Sequence, residues 1–179
     1  MDTEEFWVFG YGSLMWNPGF EVEDSQPARL HGFRRSLCVR SWVHRGTPEK
    51  PGLVLGLDRG GSCRGMAFRV APQRWHAVLD YLRERELVTH VYKERTLPVT
   101  LAGGVRKPAL AYVIDRAHHQ YAGALTVEDA AATVSTAWGK SGPNTEYVAN
   151  TLAHLREMGI RDHWLEEVGR SVERLVNGR

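Results

Sequence analysis

The sequence predicts an α+β fold with a mostly antiparallel or mixed sheet, on three observations. Short β-branched and aromatic runs punctuated by glycine fill residues 5–115, and apolar residues at helical spacing fill 126–177. A single helical segment interrupts the strands near residue 75, so strands come first and helices last. The chain has 179 residues. At roughly 100–200 residues per domain, this reads as one domain over 1–179. No repeat, low-complexity tract or linker breaks it.

Phe6-Trp7-Val8-Phe9, cut off by Gly10, reads as a buried strand entering a tight loop. Leu30 to Val43 alternates loosely and gives one or two strands, after which Gly46-Thr47-Pro48 and Pro51-Gly52 bracket a turn. Leu53–Leu57 and Gly65–Val70 read as a hairpin joined by a glycine turn over Asp58–Ser62. The clearest helix follows: Pro72 suits a first turn, and Trp75, Val78, Leu79 and Leu82 recur at helical spacing. Thr96–Leu101 and Ala109–Ile114 are strands on either side of Gly103-Gly104. Thr126 then starts a helix that Gly139 stops, and Pro143 starts one that Gly159 stops. A last helix, Asp162–Val176, lines up Trp164, Leu165, Val168, Val172, Leu175 and Val176.

Composition removes several function classes. Lys plus Arg (23) against Asp plus Glu (21) leaves +2, too balanced for a protein that reads a nucleic-acid backbone. Cys38 and Cys63 form no C-x-x-C or Cys/His cluster, so no zinc site is expected. Met1-Asp2-Thr3-Glu4-Glu5 is acidic where a signal peptide is basic. No apolar stretch approaches the ~20 residues of a membrane span. The expectation is a soluble cytoplasmic protein with reduced thiols, bound neither to membrane nor to nucleic acid.

Familiar motifs fail on spacing. Gly10-Tyr11-Gly12 lacks the third glycine of a dinucleotide fingerprint, because Met15 stands there, and Met15-Trp16-Asn17-Pro18-Gly19 opens no helix. Gly139-Lys140-Ser141 imitates the end of a phosphate loop but has Val134 for its first glycine. His118 and His119 are adjacent and cannot share one face of a helix or strand. A Cys–His pair such as Cys38 and His44 stays open.

One residue breaks the pattern informatively. At about 100° per residue, Glu86 returns to within about 20° of Trp75 and so extends the apolar stripe, whereas Glu84 faces water. A carboxylate against apolar walls gains a raised pKa and suits proton transfer near neutrality. The alternatives are a helix that frays before Glu86, or pairing with a buried arginine. The loop Gly10-Tyr11-Gly12-Ser13-Leu14 supplies a complementary half. Its two glycines let successive N–H groups converge on an anion or developing oxyanion, although an ordinary strand-ending turn has the same spacing. A base and a polar nest without a protein nucleophile suggest that the nucleophile comes from the substrate.

Val8-Phe9-Gly10-Tyr11-Gly12-Ser13-Leu14-Met15-Trp16 resembles the N-terminal signature of the ChaC-type γ-glutamylcyclotransferases. The similarity continues through Arg45-Gly46-Thr47-Pro48, Pro51-Gly52, Gly65-Met66-Ala67-Phe68-Arg69 and Arg85-Glu86-Leu87 with Tyr92 following. It ends in Ser141-Gly142-Pro143-Asn144-Thr145-Glu146-Tyr147. The R-G-T…P-G and N-T-E-Y blocks point to the glutathione-acting branch. One departure is Val88-Thr89-His90, where some members have glycines.

The resemblance implies a γ-glutamylcyclotransferase-like small mixed β-barrel with surrounding helices, strand-rich over 5–115 and helical over 126–177. It implies cleavage of glutathione to 5-oxoproline and cysteinylglycine with no cofactor, Glu86 as catalytic acid/base, and Gly10, Tyr11, Gly12, Ser13, Leu14 and Met15 holding the γ-glutamyl group. Tyr147 joins them as a substrate-binding residue through its phenol, with core packing as the alternative. Asn144 stands where a helix start asks for a cap. Arg45 suits either a substrate carboxylate or a surface ion pair. Two other functions remain open: a cyclotransferase acting on other γ-glutamyl amino acids or amines, and a non-catalytic binding module on the same fold.

Overall fold

The computed structural model describes residues 4–178, so Met1, Asp2 and Thr3 of the acidic N-terminal run lie outside the described residues. The chain divides into two compact units, each assembled from two stretches: Met1–Arg35 with Leu57–Asp115, and Ser36–Gly56 with Arg116–Arg179.

Five strands close a barrel in the order β1-β3-β2-β4-β5: β1 (Phe6–Gly10), β2 (Asp24–Ser41), β3 (Gly52–Val70), β4 (Tyr92–Leu101) and β5 (Arg106–Ile114). The sheet is mixed. β1 runs antiparallel to β3, with Phe6 opposite Val70 and Gly10 opposite Met66, and parallel to β5 through Val8 and Leu110. β4 pairs antiparallel with both β5 and the first part of β2. Between β1 and β2 lies one helical turn, α1 (Ser13–Trp16), and after β3 a 3-10 turn at Pro72–Arg74 leads into α2 (Trp75–Glu86).

The barrel's helix-facing core gathers Val8, Leu14, Val70, Val78, Leu82, Leu110 and Tyr112. Trp75 adds a ring stacked on Phe6, centroids 4.7 Å apart. The spacing that predicted α2 is the spacing that packs it. Full burial of a side chain such as Leu82 contributes about 1.5–3 kcal/mol.

Two expectations about strands and one about a helix start need correction. The supposed hairpin over residues 53–70 is one continuous strand, β3. Gly60 (φ 104) and Gly61 (φ 65) do take the left-handed backbone that a turn requires, but the chain continues forward through them. A local bend of this kind needs the same residues as a reversal, because only glycine enters that region without a Cβ penalty. β2 begins at Asp24, six residues before the first apolar residue of its expected span. Its polar start is held by partners remote in sequence: Ala28 pairs with Leu101, and Ala102 N–H donates to Pro27 C=O. Finally, α1 does open a helical turn after the glycines, with Met15 N–H donating to Gly12 C=O and Asn17 N–H to Ser13 C=O, before Pro18 follows.

The second unit is mainly helical: α3 (Val127–Val134), α4 (Asn144–Glu157) and α5 (His163–Asn177). Thr126 and Asp162 cap α3 and α5, each accepting a backbone N–H three residues on. α3 ends before Gly139, and a small hairpin of β6 (Trp138–Gly139) and β7 (Gly142–Pro143) stands between it and α4. Leu165, Val168 and Val172 of the α5 stripe are buried, whereas Leu175 and Val176 at its end are exposed. Lys140 and Ser141 donate to the carbonyls of Val43 and His44, so the segment that imitates a phosphate loop is a hairpin turn. His118 and His119 sit in a turn, where strand alternation does not apply, and their rings stack with centroids 4.3 Å apart.

Glycines explain the R-G-T…P-G block. A Cβ on Gly46 would strike the Gly52 backbone, one on Gly52 the Arg45 carbonyl, and one on Gly139 the Gly46 backbone. Main chains meet there without room for a side chain. Asn144 locks the same region: its Oδ1 accepts from Leu53 N–H at 2.8 Å, and its Nδ2 donates to Leu53 C=O at 2.9 Å. It therefore pairs with β3 as another strand would and makes no cap.

Candidate active site

Glu86 is the last residue of α2. Its side chain is 17% exposed, and Glu84 points to solvent, as the helical arithmetic expects. Burial pushes the Glu86 carboxyl above the usual carboxylate range, and the positive charge of Arg85 pulls it part of the way back. Of the two alternatives raised from the sequence, one fails and the other is met in part. The helix does not fray before Glu86, and an arginine is indeed beside it, Nε to Oε1 3.5 Å, without cancelling the effect of burial.

Arg85 does more than pair. Its Nη2 donates to Ser13 Oγ at 3.0 Å, and its Nη1 reaches the carbonyls of Asn17 and Pro18 and the Tyr81 hydroxyl. One guanidinium thus ties the end of α2, and Glu86 with it, to the turn that follows Gly12. Leu14, buried against Val78 and Leu82, makes the apolar half of the same joint. Gly10, Tyr11, Gly12, Leu14 and Met15 are buried and Ser13 is exposed. The structure accordingly brings the last turn of α2, which ends in Glu86, against the turn at Ser13 and Leu14.

A second polar chain braces α2 from the sheet. Arg83 donates through Nε and Nη2 to both oxygens of Glu94 on β4, at 3.1 and 3.0 Å, and Tyr112 on β5 donates its hydroxyl to Glu94 at 2.9 Å. The Arg83 bonds hold Glu94 below the usual carboxylate range. Burial first, then the bond to Glu94 and the charges of Glu94 and Glu86, keep the Tyr112 phenol protonated. Tyr112 is therefore a donor here and within electrostatic reach of Glu86.

Sequence reading missed Arg83, Arg85, Glu94 and Tyr112. Arg85 carried a usable signal, since it precedes Glu86 in the last turn of a helix, where a cation is favoured. The other three lie on three elements, and no spacing rule connects them.

Tyr147 belongs to the second unit. Its hydroxyl accepts the Leu55 N–H at 3.0 Å, and the Arg45 guanidinium lies 5.8 Å from its ring centroid. Arg45 also donates to Pro143 C=O and stands 3.9 Å from the Glu146 carboxylate, so its charge is engaged inside that unit. Cys38 and Cys63 are buried, and His44 sits 2.8 Å from Ser141 Oγ through Nδ1. Among the described residues no cluster of three or more His, Cys, Asp or Glu has metal-binding geometry. No helix among them is long and apolar enough to cross a membrane.

The barrel joins a parallel β1–β5 contact to antiparallel strands, and α2 ends on its surface in a largely desolvated glutamate. Comparison with known proteins gives the family. Residues 6–175 match the ChaC-like protein family, and the chain belongs to it. It is 32% identical over 175 residues to the glutathione-specific gamma-glutamylcyclotransferase of Escherichia coli K12, covering 98% of this chain and 76% of that protein. It is 35% identical over 173 residues to the enzyme of the same name from Schizosaccharomyces pombe, covering 83% of each. A solved gamma-glutamylcyclotransferase specific to glutathione from yeast superposes with a TM-score of 0.86 over 99% of both chains, at 23% identity, and so shares the fold.

Proposed function

We propose that this chain is a γ-glutamylcyclotransferase, a lyase that cleaves glutathione to 5-oxoproline and cysteinylglycine in the cytoplasm. The observation that carries the reading is Glu86: a carboxylate raised by burial, held by Arg85 against residues 10–15. The names of the relatives supply the substrate class.

The chemistry follows from those parts. The α-amine of the γ-glutamyl group attacks its own γ-carbonyl carbon, forming the lactam C–N bond, and the amide bond to cysteine breaks. Because the nucleophile is tethered, holding it in attack geometry contributes about 7–11 kcal/mol of barrier reduction. Glu86 takes a proton from the attacking nitrogen and delivers it to the leaving nitrogen, which departs as the free amine of cysteinylglycine. One carboxyl group raised by burial serves both transfers. The N–H groups of the Gly10–Leu14 segment face the oxyanion that develops on the γ-carbonyl, an interaction worth about 3–4 kcal/mol per donor. Gly10, Tyr11, Gly12, Ser13, Leu14 and Met15 hold the γ-glutamyl end, and the family motif adds Tyr147 as a substrate contact.

Incubation of the purified protein with glutathione tests the reading. The expected products are 5-oxoproline and cysteinylglycine in equal amounts, with γ-glutamyl-alanine turned over poorly. Release of free glutamate would mean hydrolysis and refute the cyclisation. Preference for γ-glutamyl-alanine would refute the substrate.

A further inference from the structure

Arg35 on β2 is a charged side chain only 7% exposed, and its place bears on the loop rather than on Glu86. Its Nε donates to the Tyr11 carbonyl at 2.7 Å, and its Nη2 donates to the Arg64 carbonyl at 2.6 Å. Both bonds come from a guanidinium, so they are charge-assisted and stronger than neutral ones.

The bond to Tyr11 fixes more than a carbonyl. The Tyr11 C=O and the Gly12 N–H belong to one planar trans peptide and point in opposite directions. Anchoring the oxygen on Arg35 therefore aims the Gly12 N–H away from β2. The same bond draws electron density through the peptide and makes that N–H a stronger donor. The neighbouring backbone leaves little freedom to turn. A Cβ on Gly65 would run into the Gly10 carbonyl and the Phe9 ring, and Met15 N–H closes on Gly12 C=O at 2.9 Å. Arg85, holding Ser13, fixes the following residue.

We infer that Arg35 is a positioning residue for the reaction: through the Tyr11 carbonyl it aims and strengthens the Gly12 N–H as the donor to the developing oxyanion. The inference rests on the cyclotransferase reading and deepens it by singling out one donor and the charge behind it. Arg35 touches no substrate. Its effect belongs to the transition state, where the oxygen becomes negative, and little of it to ground-state binding.

The test measures kcat and KM for glutathione in Arg35→Met and Arg35→Lys, per folded molecule, across pH. Deleting an oxyanion donor costs about 10²–10³ in kcat, so weakening one is expected to cost ~10- to 10²-fold in Arg35→Met. KM should stay within about threefold, and the acid limb of the pH profile should keep its position, because Glu86 and Arg85 are untouched. Lysine carries the charge without the planar fork, so Arg35→Lys should recover part of the loss. It also preserves the test should the methionine variant fail to fold. Folded variants with kcat within threefold of wild type, or with the loss confined to KM, overturn the inference. A shifted acid limb does so too, since it would mean that Arg35 acts through Glu86. Wild-type protein that makes no 5-oxoproline would overturn the functional reading as well, whereas unchanged Arg35 variants beside an active wild type overturn this inference alone.

Discussion

Asn144→Ala is expected to destabilise the protein more than most single substitutions, and the structure gives the size. Asn144 is 0% exposed, and both ends of its amide are spent on Leu53. Alanine leaves the Leu53 N–H and C=O buried and unmatched, at about 1–3 kcal/mol each, or roughly 2–6 kcal/mol together. For a chain of this size one kcal/mol moves Tm by about 2–4 °C, so a mid-range loss near 4 kcal/mol lowers it by about 8–16 °C. Asn144→Asp separates the two bonds, since it keeps an acceptor for Leu53 N–H while setting an oxygen against Leu53 C=O, and it should be nearly as damaging. Urea unfolding of the three proteins, read by tryptophan fluorescence, measures the differences. A loss under 1 kcal/mol in Asn144→Ala would refute the idea that this side chain substitutes for a strand.

Three other outcomes follow from the same geometry. Gly65→Ala should push on the Gly10 carbonyl and the Phe9 ring, costing about 1–3 kcal/mol as overpacking, and should lower kcat per folded molecule; unchanged activity with unchanged Tm would contradict that close approach. Glu86→Gln should be more stable than wild type at pH 8. The folded state holds the Glu86 proton more tightly than the unfolded chain, so the charged wild type is penalised above the raised pKa, and the two should converge as pH falls toward the ordinary value of about 4.3. A gap independent of pH would count against the desolvated carboxyl. Cys38→Ser and Cys63→Ser should keep kcat while losing stability, because a buried hydroxyl needs a partner, and activity should survive EDTA; loss on chelation with recovery on added metal would replace the internal-amine route.

The elements legible in the sequence were those whose geometry is set locally. Trp75, Val78 and Leu82 gave α2 and the direction of Glu86, and Thr126 and Asp162 gave two helix starts, because a helix repeats within its own segment. What escaped depended on distant partners. The start of β2 is polar and becomes a strand because β4 lies beside it. Gly60 and Gly61 need the same backbone freedom in a bend as in a hairpin, so residue type alone did not decide between them. Within the site, Glu86 and the glycine loop were visible as an acid among apolar residues and a pair of glycines. The arginines that hold them were hidden, because Arg35 reaches Tyr11 across 24 residues and Arg85 reaches Ser13 across 72.

The central claim is that Glu86 moves the proton during cyclisation, and the turnover number of Glu86→Gln with glutathione tests it most directly. Glutamine is nearly isosteric and leaves the loop in place but accepts no proton. General acid–base catalysis is worth ~10²–10⁴-fold, so kcat should fall at least about 100-fold with binding largely retained. Glu84→Gln, two residues earlier and in water, should be silent. A Glu86→Gln protein that keeps more than about a tenth of wild-type kcat, forming 5-oxoproline as before, would contradict the account.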